Sequence, residues 1–510
     1  MVDKGDQRVI IIGGGPAGLT AAYELCKANV ASVVLEKDVT VGGLSRTIHH
    51  KGYHFDIGGH RFFTKIKAVD DLWREVLPAE GDFLRRKRLS RVYYNKRFFH
   101  YPLRLSSTLS NVGIGKGLMG GLSYLRARLF PVKNVKTFEQ WVTNRFGRRF
   151  YRQFFKTYTE KVWGIPCEEI TADWAAQRIE DLSLATAIRN LLFKRRVNGR
   201  GAVIKTLIEE FDYPRRGPGM MWETMARLIA ERGSEIRLDM RVEKIKWREN
   251  RIEQVVVNCE GQREALMGSH FISSMAVREL VLSLSPPAPT EVREAAMKLK
   301  YRDFITVVLI VNRRDIFPDN WLYIHDPGVR VGRIQNFKNW SPHMVADPEK
   351  TCLGLEYFCF KGDHLWTMPD DELIELGKSE IEKVCLVKAC EVEDGVVIRV
   401  PKAYPVYDHT YKEALAVVRG FLSRIENLQL VGRNGMHKYN NQDHSMLTAM
   451  LAVKNILGAS YDLWTVNTEQ EYLEKIEEDE AGQYRLLAST QPLVPERIVR
   501  LRSASVESEV

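Results

Sequence analysis

Residues 430–456 read LVGRNGMHKYNNQDHSMLTAMLAVKNI, and their chemistry is concentrated in a short join. An apolar, strand-like run ends at Gly432. Arg433, His437, Lys438, Tyr439, Asn440, Asn441, Gln442 and Asp443 follow, and then a run with Leu, Met, Ala and Val on one side of a helix. Guanidinium forks match phosphate oxygens in pairs, and phenol hydroxyls add donors without flexible charge. A helix starting near Asp443 also presents unbonded N–H groups in its first turn. A second constellation lies in RVIIIGGGPAGLTAAYELCKANVASVVLEKD. Gly13, Gly15 and Gly18 form a G-x-G-x-x-G turn directly after the apolar Val9–Ile12, and Glu36 follows Gly18 by 18 residues. The first glycine permits the tight turn and the second lets a pyrophosphate approach the backbone. The third lets helix pack on strand, and the carboxylate can accept from ribose hydroxyls. Dinucleotide binding is the chemistry this spacing supports.

The patterning predicts the elements that must position these residues. Residues 8–38 read strand, glycine turn, helix, strand. Residues 105–210 lack strand alternation and read as helices, with polar breaks near Lys133 and Thr171. Residues 217–257 read helix, strand, then a hairpin around Glu249 and Asn250. FITVVLIVN, WLYIHD, GRIQNF and CLGLEYFCF read as strands. Residues 413–427 read as a helix before the strand LQLVG. The predicted fold class is α/β. A Rossmann-like nucleotide domain is built from residues 1–104, 206–295 and 401–465. A helical insert occupies 105–205, an antiparallel β-sheet substrate domain 296–400, and a C-terminal helix with a polar tail 466–510.

The 510 residues are 45% hydrophobic and 27% charged, an ordinary globular balance. The longest strongly apolar run, Phe304 to Val311, is far short of the roughly 20 residues of a membrane span. The N-terminus does not read as a signal peptide. Seven scattered cysteines without metal-ligand spacing predict a reducing, cytoplasmic setting, no disulfide framework and no metal. The net charge is +10, with much of the excess in RRKRLSR, RFGRRFYR and FKRRVNGR. Such runs suit a solvated face, a site for an anionic small molecule, or a lipid-phosphate surface at the inner face of a membrane. No nucleic-acid-binding signature accompanies them. No long heptad or exposed apolar stripe is evident, so the oligomeric state is left open.

VGGLSRT at 41–47 resembles the second glycine signature of the flavoprotein superfamily of amine oxidases, protoporphyrinogen oxidase and UDP-galactopyranose mutase. Four further stretches resemble the longer UDP-galactopyranose mutases. FDIGGHRFF carries His60 toward the flavin. YTEKVWGIPCEEITADWAAQRI carries Trp163 and Arg178 toward substrate. WLYIHDPGVRVGRIQNFKNWSP carries Tyr323 and Arg333, and YPVYDHTY ends in Tyr411. The opening join completes the set with Arg433 and Tyr439. The resemblance covers most of residues 8–456. It implies FAD held by Gly13, Gly15, Pro16, Ala17, Gly18, Glu36, Lys37, Gly43, Leu44, Ser45, Gly59, His60, Val242, Gly432, Arg433, Asn441, Gln442, Asp443 and Ser445.

By that resemblance the expected activity is interconversion of the pyranose and furanose forms of a nucleotide sugar or other diphosphate-linked sugar. The implied catalyst is N5 of reduced flavin, with His60, Arg178, Arg333 and Arg433 as catalytic residues. Trp163, Tyr323, Tyr411 and Tyr439 bind substrate. The scheme needs an electron donor, NAD(P)H or a reductase. The alternative is a true FAD-dependent oxidoreductase of the same superfamily. A third reading is a flavin-bearing scaffold whose basic insert makes peripheral membrane contact.

Overall fold

The computed structural model describes residues 8–101, 114–172, 206–207, 210–467 and 475–476. The apolar runs flanking the glycine turn pair in parallel. Together they form a five-stranded sheet in the order Glu235–Arg237, Ser32–Leu35, Val9–Ile12, His270–Ser273, Leu428–Leu430. Strand alternation sends neighbouring side chains to opposite faces. Val9 and Ile11 enter a core with helices Pro16–Lys27, Lys67–Val76, Gly219–Glu231 and Gln442–Ile456. Ile10 and Ile12 enter another, with the hairpin Arg241–Arg248/Arg251–Cys259 and helices Val277–Ser283, Thr290–Lys298 and Tyr411–Leu422. The hairpin turns through Glu249 and Asn250, both at positive φ, as a tight two-residue turn requires. Gly13, Glu36 and Gly432 each follow the carboxyl end of a strand in this sheet, so residues remote in sequence meet at one edge.

A seven-stranded sheet lies beside it. Its order is Val392–Pro405, Tyr301–Val311, Thr351–Cys359, Arg333–Asn336, Trp321–Ile324, Ser90–Tyr94, Arg97–His100. Tyr301–Val311 is buried along its whole length, which explains the mostly apolar run from Phe304 to Val311. Two strands depart from the predicted boundaries. Ser90–Tyr94 and Arg97–His100, assigned from sequence to the nucleotide unit, extend the substrate sheet, and Trp321–Ile324 pairs with Ser90–Tyr94 in parallel.

Helices Ile114–Leu129, Phe138–Phe146, Arg148–Tyr151 and Thr157–Trp163, with a π turn at Arg152–Lys156, form a layer that packs Phe154 against Val92 and Phe99 of the second sheet. Thr137 and Gln140 form a capping box that starts the second helix. Phe138, Val142, Phe146, Tyr151 and Trp163 fill the centre of this layer. The Ile114–Leu129 helix corrects one expectation. It packs inward through Ser123, Tyr124 and Ala127, and its leucines point to solvent, so an apolar stripe is exposed after all. The predicted C-terminal helix, like most of residues 466–510, lies outside the described residues.

Gly18 fixes how closely the fingerprint helix approaches its strand. A β-carbon there would lie 1.8 Å from the Gly13 carbonyl oxygen, and no flexible side chain can yield. Gly18→Ala is expected to destabilise the protein by about 1–3 kcal/mol or more and to strip copurifying dinucleotide. Urea unfolding and the absorbance of the purified protein check both.

Candidate active site

The phosphate end of the site is backbone. Gly15 caps the Pro16–Lys27 helix without a side-chain hydrogen bond, so the N–H groups of Ala17 and Gly18 stay available to an anion. The second glycine loop, Gly43–Ser45, closes on the first: a β-carbon on Gly43 would sit 3.1 Å from Gly15 Cα. Ser45 is buried beneath it. Glu36 is buried and accepts from Gly14 N at 2.6 Å and Asp38 N at 2.9 Å. Burial raises its pKa and those two N–H groups oppose the rise. Lys37 is exposed. Half-buried Val242 is the second residue of the Arg241–Arg248 strand, two residues after Met240, whose N–H donates to the Glu36 carbonyl at 2.8 Å.

A cavity of about 620 Å³ continues from Leu44 toward the second sheet. Its wall brings together Gly59, His60, Trp163, Tyr323, Arg333, Tyr411, Arg433, Tyr439, Asn441, Gln442 and Asp443. Gly13, Gly15, Pro16, Ala17, Gly18, Glu36, Lys37, Gly43, Ser45, Val242, Gly432 and Ser445 are not on this wall, and Arg178 lies outside the described residues. The wall is mostly aromatic. Tyr404 and Tyr439 stack at 5.7 Å and 10°, and Trp163 meets Tyr404 edge-on at 6.1 Å. Tyr323, opposite Arg333 in the strand pair, is flanked by Tyr101 at 5.0 Å and Tyr158 at 5.6 Å. Tyr411 packs on Tyr407 at 4.7 Å.

The two arginines differ in kind. Arg333 Nε donates to Glu356 Oε2 at 2.6 Å, and its Nη2 donates to the Tyr404 hydroxyl oxygen at 2.9 Å. Glu356 is fully buried and also accepts from Gln335 Nε2 at 2.9 Å. Burial alone would depress the Arg333 pKa. The carboxylate outweighs it and keeps the guanidinium charged. Arg433 instead donates to two carbonyls, Asn440 O at 2.9 Å and Ala403 O at 3.0 Å, and lies over the Tyr439 ring at 4.7 Å. Among the described residues it forms no salt bridge. Arg61, Arg333, Arg419, Arg433 and Lys438 line the cavity against one carboxylate, Asp443.

His60 shares a nitrogen–oxygen contact of 3.0 Å between Nδ1 and the Gly58 carbonyl. That contact makes Nδ1 the donor and leaves Nε2 as an acceptor. Burial, then the Arg433 and Arg333 cations, push its pKa down to about 3, so the ring is neutral.

At the far side Gln442 and Asn441 start a helix whose first turn faces the cavity. Gln442 Nε2 donates to the Arg61 carbonyl at 2.9 Å, while Gln442 Oε1 is buried with no hydrogen-bond partner among the described residues. Two helix N-termini, one uncapped, a closed glycine loop, a buried acid and an unmatched acceptor fit the expected FAD.

Sequence reasoning missed Glu356, Tyr158, Tyr404 and Tyr407. Glu356 had a signal: it is the one charge in the buried strand CLGLEYFCF, where a carboxylate needs a cationic partner. The tyrosines had none, since aromatic residues fill any strand or helix of this kind.

The family described as flavin containing amine oxidoreductase matches residues 16–411. L-amino acid oxidase bordonein-L of Crotalus durissus terrificus is 22% identical over 359 residues, 65% of this chain and 61% of its own length. The chain thus spans about three fifths of the curated relatives it matches. Among solved structures, reduced UDP-galactopyranose mutase superposes with a TM-score of 0.77 at 22% identity, over 91% of this chain and 98% of that one. Putrescine oxidase bound to putrescine superposes with a TM-score of 0.58 at 16% identity, over 89% of this chain and 99% of that one. At these identities the superpositions establish the fold.

His60, His325 and His437 are all held neutral by burial, with pKa values pushed down to about 3, about 3 and about 4. In the unfolded chain each protonates near pH 6.5. Protons therefore bind the unfolded state first. Stability is expected to fall as pH falls below about 6.5, by up to about 1.4 kcal/mol per pH unit for each ring. His325→Phe, which keeps a ring against Tyr158, is expected to flatten that slope in urea titrations. Parallel curves for variant and parent would contradict it.

Proposed function

The chain belongs to the flavin containing amine oxidoreductase family and is an FAD enzyme, and within that family we propose that it is a sugar mutase. It would interconvert the pyranose and furanose forms of a diphosphate-linked sugar of the UDP-galactose kind, with its flavin reduced. The observation that carries the reading is Arg433, a cation with no carboxylate partner among the described residues, in a tyrosine-walled cavity. Arg333 is neutralised by Glu356 and Arg419 is paired with Asp462, so Arg433 is the cation on this wall that calls for an anionic group on the ligand.

FAD, bound and reduced, supplies the nucleophilic nitrogen that exchanges with the diphosphate. The chain's own residues do the rest. Arg433 Nη groups hold the diphosphate before and after exchange. Arg333, anchored on Glu356, donates a hydrogen bond from Nη2 to the Tyr404 oxygen, so the Tyr404 hydroxyl proton is directed away from that bond and toward ligand oxygen. Burial raises the Tyr404 pKa and keeps that proton in place. Neutral His60 adds an acceptor at Nε2 and no charge that would compete with Arg433. The aromatic wall excludes water from the reacting carbon. The scheme calls for an electron donor, NAD(P)H or a reductase, and a cytoplasmic setting.

A second reading is oxidation of an amino acid or amine. The L-amino acid oxidase relatives favour it, and in it Arg433 would hold a carboxylate. Titration of the yellow protein with UDP, uridine and L-amino acids separates the two through flavin absorbance and oxygen uptake. UDP is expected to perturb the flavin, and uridine to bind at least about tenfold more weakly, since charge-assisted bonds contribute about 1.5–3 kcal/mol each. Arg433→Ala should weaken UDP by about 10–100-fold with FAD content unchanged. Oxygen uptake with an amino acid, and no response to UDP, would establish the second reading instead.

A further inference from the structure

We propose that the Ile114–Leu129 helix docks the protein on the surface of an anionic lipid bilayer. Leu118, Leu122, Leu125 and Leu129 recur at helical spacing and form one stripe. They are 68%, 59%, 55% and 73% exposed. Phe130, next in the chain, is 77% exposed, and Met119 and Val132 are exposed beside them. The helix is inverted relative to an ordinary surface helix. Ser123, Tyr124 and Ala127 face the protein, and the large apolar side chains face outward. The seat is built for this. Arg149 N–H donates to Ser123 Oγ at 3.1 Å, and a β-carbon on Gly147 would meet Tyr124 N at 2.8 Å.

Charge selects the occupant. Arg126 and Arg128 leave the helix on either side of the leucine stripe, both exposed. From Phe83 to Phe138 the chain carries thirteen Lys and Arg and no Asp or Glu. An apolar stripe between cations is what an interfacial helix presents to acyl chains and anionic headgroups, with the Arg stems reaching back to phosphate. A protein partner would need a matching acidic surface with an apolar groove. A second copy of this chain would set the exposed Arg126 and Arg128 against their own like charges. No described helix is long and apolar enough to cross a membrane, so the contact is with its surface.

The inner neighbours of this helix are Phe138–Phe146, which supplies Phe138 to the cavity wall, and Arg148–Tyr151, which runs into the π turn that supplies Phe155. Docking therefore acts on the same helical layer that walls the cavity. If the diphosphate reading above holds, on which this consequence rests, a diphosphate whose other substituent is a membrane-held lipid becomes a fitting substrate. The test of docking involves no turnover, so either idea can fail alone.

Full-length, FAD-loaded protein is sedimented with vesicles of phosphatidylcholine and with vesicles of equimolar phosphatidylcholine and phosphatidylglycerol. The expected result is about tenfold or greater partition onto the anionic vesicles, weakened by salt. Leu122→Glu with Leu129→Glu should abolish it, with flavin content and melting temperature unchanged. Should that variant fold poorly, Arg126→Glu with Arg128→Glu, both exposed, should lower partition by a similar factor. Wild-type protein remaining in the supernatant would overturn the proposal, as would folded variants that sediment like wild type. So would a dimer that the leucine variant dissociates without any vesicle binding.

Discussion

A guanidinium held by carbonyls instead of a carboxylate is the interaction around which this cavity is organised. Arg433 owes its position to the polar join after Gly432, several of whose side chains anchor the backbone around it. Asn440 Nδ2 donates back to the Gly432 carbonyl at 3.1 Å. Asn434 Nδ2 donates to the Lys402 carbonyl at 2.9 Å. Lys438 Nζ donates to Trp464 O at 2.8 Å, and Asn467 Nδ2 to Tyr439 O at 3.1 Å. These bonds tie the join to the strand and loops around it. A plain turn would leave Arg433 free to seek a carboxylate. Fixed here, it stands charged over Tyr404 and Tyr439 and needs an anion to complete it.

Arg333 shows the other way to bury such a cation. Glu356 neutralises it, and the pair holds Tyr404 rather than contributing net charge to the cavity. Burying two opposite charges gains little over an apolar pair, but removing one partner leaves the other uncompensated at a cost of about 3–5 kcal/mol. The pair is therefore better understood as a positioning device than as a stabilising one. The π turn at Arg152–Lys156 has a related effect on the opposite wall, where it aims Phe155 into the cavity while Phe154 packs away against Phe99.

The glycine fingerprint was legible because its chemistry is local: strand, turn, helix and acid lie within one βαβ unit. The buried strands were legible for the same reason, as runs such as FITVVLIVN admit few other readings. What escaped was non-local. Ser90–Tyr94 and Arg97–His100 look like any hairpin, and only tertiary pairing assigns them to the second sheet. Glu356 stood out in an apolar strand, yet its partner lies on the neighbouring one. The leucines of Ile114–Leu129 misled in the opposite direction. A helical apolar stripe is ordinarily core, and the Ser, Tyr and Ala face that does the packing carries little signal. Tyr323 and Arg333 on strands, His60, Arg433 and Tyr439 on loops, and Trp163, Tyr411, Gln442 and Asp443 on helices line one cavity, and Arg178 lies outside the described residues.

The measurement that bears most directly on the central claim is product analysis under anaerobic conditions. UDP-galactopyranose is incubated with dithionite-reduced and with oxidised protein, and the nucleotide sugars are separated by chromatography. The account predicts a furanose product from reduced protein alone, with no net consumption of reductant. Absence of that product, with stoichiometric flavin reduction by an amine or amino acid instead, would contradict it.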